Sequence, residues 1–198
     1  GTLAGYDSGK GPHEGGSPSD DLAGAARIAP LVYAYSDHLE NLIDAAKVQT
    51  LMTHTNPLTV ESAAFFAEVA FRVLGGLAPR KALQETADEN FSDSSLSGWV
   101  KAGLQTAADD SVQTILGFGQ SCHTPEAFPG VIHLIAKYES DLKEALIQSV
   151  MAGGDSAARG MLVGMVLGAH SGDESLPLEW MSALNKEQQI AQMLKQLR

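Results

Sequence analysis

The sequence is short of cysteine and of basic residues, and each shortage excludes a class of protein. Cys122 is the single cysteine, which excludes an intramolecular disulfide and fits a reducing compartment, so we expect a cytoplasmic protein. Lysine and arginine together number 13, against 24 aspartates and glutamates, and the net charge is −11. Because a nucleic-acid backbone is bound by clustered positive charge and this chain has no basic run, we expect no nucleic-acid partner.

Long apolar runs are absent as well. The longest, from Met161 to Ala169, is too short to span a bilayer, so we expect no membrane partner. No signal peptide is visible at the start of the chain. The chain begins with Gly1 rather than methionine, which indicates a processed or truncated product, and we expect further N-terminal sequence in the full protein.

The sequence has two parts: a short N-terminal stretch with the composition of a loop, and a long remainder with the periodicity of helices. Residues 1–20 are rich in glycine, serine, proline and aspartate without periodicity, which predicts a loop or linker. In residues 21–198 apolar positions recur at helical spacing and no convincing strand is present, so we predict a single all-α domain, a multi-helix orthogonal bundle. The predicted helices lie near residues 37–52, 57–74, 79–89, 94–109, 124–138, 140–150, 156–170, around 180, and at 185–197.

One of these helices is marked more clearly than the others. Asn56-Pro57 combines an N-cap residue with a proline at the first helical position, and Gly75-Gly76 ends the same helix. Residues between these signals are apolar almost all round, including Phe65, Phe66 and Phe71. A helix of this kind has no face suited to water, so we expect it at the centre of the core.

The most informative stretch is the start of the helix predicted at 156–170. Gly153-Gly154 allows a tight backbone turn, and Asp155 follows at the position of an N-cap. Gly160, Gly164 and Gly168 then lie on one helix face, where they would let a neighbouring backbone come close. A carboxylate at the mouth of such a helix is a candidate site for a hard cation or an anionic ligand.

Four stretches of the sequence, in this order, resemble the ADP-ribosylglycohydrolase family, which is related to dinitrogenase reductase-activating glycohydrolase. The resemblance covers roughly residues 20–185 and the C-terminal part of the family pattern, so the N-terminal portion would be missing from this chain. It implies the all-α fold of that family and an enzyme that removes ADP-ribose from modified side chains or small molecules. The four stretches are Arg27–Leu31, Thr53–Pro57, Thr124–Pro129, and Gly153–Asp155 followed by Gly164, Gly168-Ala169 and Pro177–Trp180.

The resemblance also implies a pair of Mg²⁺ or Mn²⁺ ions, and here the chain departs from the family. The family's ligands come from an N-terminal Thr-Asp-Asp motif, which this chain lacks, and a C-terminal Asp-(Thr/Ser)-Asp-(Thr/Ser) motif. Asp155 and Ser156 match the first half of the second motif, but Ala157 and Ala158 occupy the other half. Since alanine offers no side-chain oxygen, we expect no complete paired-metal centre, and at most one metal position, at Asp155.

Alternatives remain at the helix mouth. Asp155 is either a metal or catalytic residue or simply the N-cap of its helix. Arg159 lies one turn into the helix, where it would pair with Asp155 and replace cation charge, or hold a phosphate. The resemblance places Gly153, Gly154 and Ser156 beside that ligand.

Three further candidates lie outside the helix mouth. Asp20 and Asp21 are adjacent carboxylates that would replace lost metal oxygens or act as acid and base on a glycosidic bond, or form an ordinary solvated turn. His54 would shuttle a proton or fix its loop through a hydrogen bond. Cys122-His123 has the composition of a thiolate–imidazole pair, but adjacent side chains rarely face each other.

Our leading prediction is therefore a protein that hydrolyses a glycosidic bond of an ADP-ribose-type substrate, with Asp155, Asp20 or Asp21 delivering water to the anomeric carbon. The alternative is a non-catalytic ADP-ribose-binding or structural homologue that has lost the paired-metal site. A third possibility is an enzyme whose missing N-terminal segment restores part of the site. The sequence predicts no oligomeric state.

Overall fold

The computed structural model describes residues 2–172 and 175–197, and these residues form a helical body. No strand longer than an isolated bridge occurs among them, which confirms the all-α prediction. None of the helices in these ranges has both the length and the apolar character needed to cross a membrane. The helices are α1 (Thr2–Asp7), α2 (Ala23–Ala26), α3 (Ala29–Ala34), α4 (Leu39–Leu51), α5 (Pro57–Leu74), α6 (Pro79–Asn90), α7 (Ser95–Gln105), α8 (Ser111–Phe118), α9 (Thr124–Lys137), α10 (Leu142–Met151), α11 (Ser156–Ser171), α12 (Leu178–Ala183) and α13 (Glu187–Lys195).

Helix α5 lies at the centre of the core, as its apolar sequence predicts. Phe65 and Phe66 on α5 and Phe128 on α9 are fully buried. The ring of Phe128 lies 5.3 Å from that of Phe65 and 4.9 Å from that of Phe66, measured between centroids. Burying a side chain of this size contributes on the order of 2 kcal/mol, so this aromatic cluster fixes α5 against α9.

The ends of α5 also follow the sequence signals. The Asn56 side chain accepts a hydrogen bond from the Leu58 amide at 2.9 Å, and Pro57 is the first residue of the helix. Gly76, just beyond the end, has a φ of +94°, a conformation that side chains disfavour. The predicted helix is therefore correct at both ends.

Several segments differ from the prediction, and α2 and α3 were not among the predicted helices. The stretch predicted as loop, residues 1–20, contains α1, where the Tyr6 hydroxyl donates to the Met52 carbonyl at 3.1 Å and the Thr2 hydroxyl to the Thr53 carbonyl at 3.2 Å. The helix predicted at 94–109 ends earlier, at Gln105, and the separate helix α8 follows it. Asp110 starts that helix by accepting a hydrogen bond from the Gln113 amide at 2.9 Å.

The glycines of α11 do not make the close helix contact that the sequence predicts, and a glycine of α7 makes such a contact instead. A Cβ on Gly164 would lie 3.7 Å from Leu146, an ordinary contact, and one on Gly168 would meet nothing within 4 Å. A Cβ on Gly103 of α7, in contrast, would lie 2.6 Å from the Cβ of Ile132 on α9. The prediction for the α11 glycines is therefore wrong, and the tightest helix contact of this kind joins α7 to α9.

Candidate functional site

The candidate site is formed by four loops, which we call the loop cluster: residues 16–22, 52–56, 119–123 and 152–155. Each precedes a helix, namely α2, α5, α9 and α11 respectively. The loops are far apart in sequence, so their meeting is a product of the fold. Three of the four regions of family resemblance contribute to this cluster or border it directly.

Backbone hydrogen bonds join these loops side by side. The Ser17 amide donates to the Thr53 carbonyl at 2.9 Å, which connects the first loop to the second. The Leu22 amide donates to the Cys122 carbonyl at 2.9 Å, and the Thr124 amide donates to the Asp20 carbonyl at 2.8 Å. These bonds place the paired aspartates of the first loop directly beside the third loop.

The fourth loop is attached in the same way, and glycines make its approach possible. The Asp155 amide donates to the Gln120 carbonyl at 3.0 Å. Gly153 and Gly154 have φ values of +69° and +65°, a region that side chains rarely adopt. A Cβ on Gly154 would in addition collide with the Gln120 carbonyl. The paired glycines are therefore required by the turn and by the contact between the third and fourth loops.

Asp155 is the N-cap of α11. One of its carboxylate oxygens accepts a hydrogen bond from the Ala158 amide at 3.3 Å, which satisfies one of the free donors at the helix start. The residue is half-buried rather than sealed in the core. The capping role is observed, and the residue keeps part of its surface exposed.

Asp21 lies just before the short helix α2 and contacts the single cysteine. Its carboxylate accepts a hydrogen bond from the Ala23 amide at 2.8 Å. The pKa of the Cys122 thiol is raised, first because it donates a hydrogen bond to Asp21, then because of burial and the negative charges of Asp21 and Asp155. The thiol is thus held protonated between two carboxylates, and a thiolate nucleophile is disfavoured here.

Asp20 and His123 form a hydrogen-bonded pair that sequence reasoning missed. The distance from His123 Nδ1 to Asp20 Oδ1 is 2.7 Å, although the two residues are 103 positions apart. The pKa of His123 is raised, mainly by this hydrogen bond and by the charge of Asp20. The only signal in the sequence was a histidine directly before a predicted helix, and nothing connected it to Asp20.

His54 lies on the second loop, beside the first. Its Nδ1 is 2.9 Å from the Thr53 hydroxyl, to which the guanidinium of Arg27 also donates. Burial lowers the pKa of His54; the charge of Asp21 opposes this effect, and that of Arg27 adds to it. The structure therefore brings His54 next to Asp21, and both predicted roles for its side chain remain predictions.

Arg159 lies beneath the loop cluster and contacts it through the Gly153 carbonyl. Its side chain is only 1% exposed, and its Nη2 donates to the carbonyls of Ser149 at 2.7 Å and Gly153 at 2.6 Å. These bonds fix the turn between α10 and α11, and the predicted pairing with Asp155 is not made. Burial lowers the pKa of the guanidinium, an effect partly offset by Asp155. A phosphate-binding Arg159 is thus not supported by the geometry, because the side chain has almost no surface to offer.

Two backbone amides of the predicted ligand-binding residues, those of Gly153 and Ser156, already donate hydrogen bonds within the protein. The Gly153 amide donates to the Val150 carbonyl at 3.0 Å, and the Ser156 amide donates to the Gly154 carbonyl at 2.8 Å. These two amides are therefore not free to bind a ligand at this turn.

The residues present do not fit a paired-metal centre. Within the described part of the chain, no three histidine, cysteine, aspartate or glutamate side chains are grouped as a metal ion would require. Ala157 and Ala158 stand in the first turn of α11, where the family pattern has oxygen ligands. We therefore derive no chemical step through a metal ion, and a single ion at Asp155 stays a prediction.

The whole sequence is similar to a known protein family. The sequence model of the ADP-ribosylglycohydrolase family matches residues 1–198. The chain belongs to that family. The resemblance stated from four short stretches is thereby confirmed over the whole sequence.

The relatives of this ADP-ribosylglycohydrolase-family chain include proteins named as crystallins and a protein named as an enzyme. Crystallin J1A of Tripedalia cystophora is 26% identical over 193 residues, 94% of this chain and 57% of that protein. The ADP-ribosyl-[dinitrogen reductase] glycohydrolase of Rhodospirillum rubrum is 27% identical over 176 residues, 85% of this chain and 52% of that protein. The chain thus spans about half the length of these relatives. One is named as a crystallin and the other as an enzyme, so family membership alone does not establish activity.

A solved structure confirms the fold. A chain of an ADP-ribosylglycohydrolase-related protein complex superposes with a TM-score of 0.71 at 22% sequence identity, covering 92% of this chain and 62% of the other. At this identity the likeness concerns the fold alone. It supports the all-α bundle of the ADP-ribosylglycohydrolase type.

Proposed function

We propose that this protein hydrolyses a glycosidic bond of an ADP-ribose-type substrate at the loop cluster. The observation that carries the proposal is the meeting of Asp20, Asp21, His123 and Asp155 on adjoining loops that the chain brings together from distant positions. Carboxylates on either side of a bound sugar are the groups that glycoside hydrolysis uses. The match to the family over residues 1–198 supports the substrate class.

Each group has a proposed task. Asp21 or Asp155 accepts a proton from the water that attacks the anomeric carbon. The N-termini of α5, α9 and α11 adjoin the cluster, and the partial positive charge at a helix start favours the negative charge of the phosphates. His54 and the Ser156 hydroxyl are proposed ligand contacts at the two ends of the cluster. For the compartment we propose the cytoplasm, which suits the free thiol of Cys122.

A second candidate function is non-catalytic binding or a structural role. It is favoured by Ala157 and Ala158 in the place of two oxygen ligands and by the relatives named as crystallins. In this case the loop cluster would still bind ADP-ribose, or would only support the fold.

The two candidates are separated by assaying release of ADP-ribose from ADP-ribosylated protein and small-molecule conjugates, with Mg²⁺, with Mn²⁺ and with EDTA. We expect turnover in the wild type and its loss in Asp155→Asn, because asparagine keeps the helix cap but removes the charge. Asp110→Asn is the matched control, since Asp110 caps α8 outside the cluster. Binding of ADP-ribose by calorimetry without turnover in any condition would favour the second candidate.

A further inference from the structure

We propose that His123, held in place by Asp20, donates the proton to the leaving group when the glycosidic bond breaks. This inference rests on the proposed function and adds a residue that the carboxylate-only mechanism does not contain. Asp20 then acts as the positioning residue of the pair. The carboxylates that remain for the attacking water are those of Asp21 and Asp155.

The first support is the way in which the pair is fixed. Asp20 is flanked by the two backbone hydrogen bonds that join the first and third loops, from the Leu22 amide to Cys122 and from the Thr124 amide to Asp20 itself. The Thr124 hydroxyl donates to the same Asp20 carbonyl at 2.6 Å, and Thr124 is fully buried. The backbone of both residues is therefore held in one register, which fixes their side chains relative to each other.

The second support is the state of the imidazole ring. Because a carboxylate only accepts, His123 Nδ1 must donate to Asp20, and this bond occupies one ring nitrogen. The other nitrogen, Nε2, has no partner in the described part of the chain, and the side chain is 59% exposed. The ring thus presents one N–H group to the surface of the loop cluster, where a ligand would lie.

The third support is the charge around the ring. The titratable groups that act on His123 are Asp20, Asp21 and Glu126, and each raises its pKa, whereas the small burial of the ring lowers it. No cation opposes them in this set. A histidine in such surroundings keeps its second proton closer to neutral pH than an ordinary exposed histidine does, which suits a proton donor.

The bond between the anomeric carbon and the oxygen or nitrogen of the leaving group breaks, and its electron pair takes the proton from His123 Nε2. The oxygen of water bonds to the anomeric carbon, and a proton of that water passes to Asp21 or Asp155. The carboxylic acid then returns a proton to the neutral imidazole through solvent, so the products are free ADP-ribose and the protonated leaving group.

An ordinary surface histidine beside a carboxylate provides the matched control. His38 Nε2 lies 3.6 Å from Asp37 Oδ2, and the two side chains are 66% and 75% exposed. These residues are neighbours in sequence at the start of α4, outside the loop cluster. His38→Gln therefore removes a histidine–aspartate pair without touching the proposed site.

The test compares the wild type with His123→Gln, Asp20→Asn and His38→Gln on two ADP-ribose conjugates, one with an alcohol or amide leaving group and one with a nitrophenol. We expect His123→Gln to lower kcat about 100-fold or more on the poor leaving group, with little change in KM. The loss should be much smaller on nitrophenol, which leaves without protonation. The alkaline limb of the pH–rate profile should disappear in His123→Gln and move to lower pH in Asp20→Asn.

A readout independent of turnover covers the case in which a variant folds poorly. The titration of the His123 ring, followed by NMR, should have its midpoint at higher pH in the wild type than in Asp20→Asn. Equal midpoints, or equal kcat of His123→Gln and the wild type on both conjugates, would overturn the assignment of His123 while leaving the hydrolase intact. A wild type that neither turns over nor binds ADP-ribose would overturn the proposed function, and this inference with it.

Discussion

The hydroxyls of Thr59 and Thr124 are hydrogen-bonded to each other in the core, with 3.1 Å between their oxygens and no exposed surface on either residue. Thr59 lies in the first turn of α5, and Thr124 is the first residue of α9. Since the Thr124 hydroxyl proton goes to the Asp20 carbonyl, Thr59 must be the donor to Thr124. This chain of hydrogen bonds connects the starts of the two central helices to the loop that carries Asp20.

The direction of these hydrogen bonds predicts that substituting Thr124 lowers stability more than substituting Thr59. Thr124→Val leaves the Thr59 hydroxyl without its acceptor and removes a donor to Asp20, so we expect a loss of about 1–3 kcal/mol in the free energy of unfolding. Thr59→Val removes only the terminal donor, and Thr124 keeps its bond to Asp20, so the loss should be smaller. Urea unfolding of both variants measures the difference. Equal losses would contradict the assigned direction.

Two glycines next to or within α11 should respond in opposite directions to alanine. Gly154→Ala forces a side chain into a φ of +65° and against the Gln120 carbonyl, which should destabilise the protein by more than about 1 kcal/mol. Gly168→Ala meets open space within a regular helix, which should stabilise it by up to about 1 kcal/mol. Thermal unfolding of the pair gives both signs in one experiment, and a shift of the same sign in both variants would count against this account.

His133 should make stability depend on pH. Its ring is fully buried on α9, 3.0 Å from the Thr106 hydroxyl and 2.9 Å from that of Ser111. Burial, with a smaller contribution from Lys137, lowers the pKa of His133 from 6.5 to about 4. Between pH 6.5 and 4 the unfolded chain therefore binds a proton at this residue and the folded chain does not. The free energy of unfolding falls over this range by on the order of 3 kcal/mol.

Denaturant unfolding between pH 7 and pH 4 measures this slope. His133→Gln should flatten it, because the group whose pKa differs between the folded and unfolded chain is then removed. A slope that persists in His133→Gln would assign the acid sensitivity to another group.

Arg159 should prove structural rather than ligand-binding. Arg159→Ala leaves the buried carbonyls of Ser149 and Gly153 without their donor and opens a cavity beside Gly130 of α9, so we expect a loss of about 2–4 kcal/mol in stability. The affinity of the folded variant for ADP-ribose, measured by calorimetry below its unfolding transition, should stay near that of the wild type. A large loss of affinity with unchanged stability would reverse this assignment.

Local signals in the sequence were enough for much of the fold. Asn56-Pro57 and Gly75-Gly76 determine the ends of α5 through bonds and φ angles within a few residues. The Gly153–Asp155 turn was predictable for the same reason. Helix α8 was missed because the cap at Asp110 was not recognised, and the end of α7 was placed a few residues too late.

The parts that could not be predicted depend on distant neighbours. Gly103 is needed because Ile132 of α9 packs against it, and nothing near Gly103 in the sequence indicates this. The Asp20–His123 pair is formed by residues 103 positions apart, and the orientation of Arg159 is decided by carbonyls at the end of α10. In the candidate site, the residue types were predictable, and their partners were not.

Three of the hydrogen bonds that join the loop cluster are made by main-chain atoms alone: Ser17 to Thr53, Leu22 to Cys122, and Asp155 to Gln120. An amide and a carbonyl are the same whichever side chain they carry, so such bonds tolerate the exchange of neighbouring residues. Apart from Gly153 and Gly154, the arrangement of the loops therefore depends more on the path of the backbone than on the side chains that the loops carry. Side chains beside this backbone frame, such as those of Ala157 and Ala158, can therefore differ without removing the hydrogen bonds that join the loops.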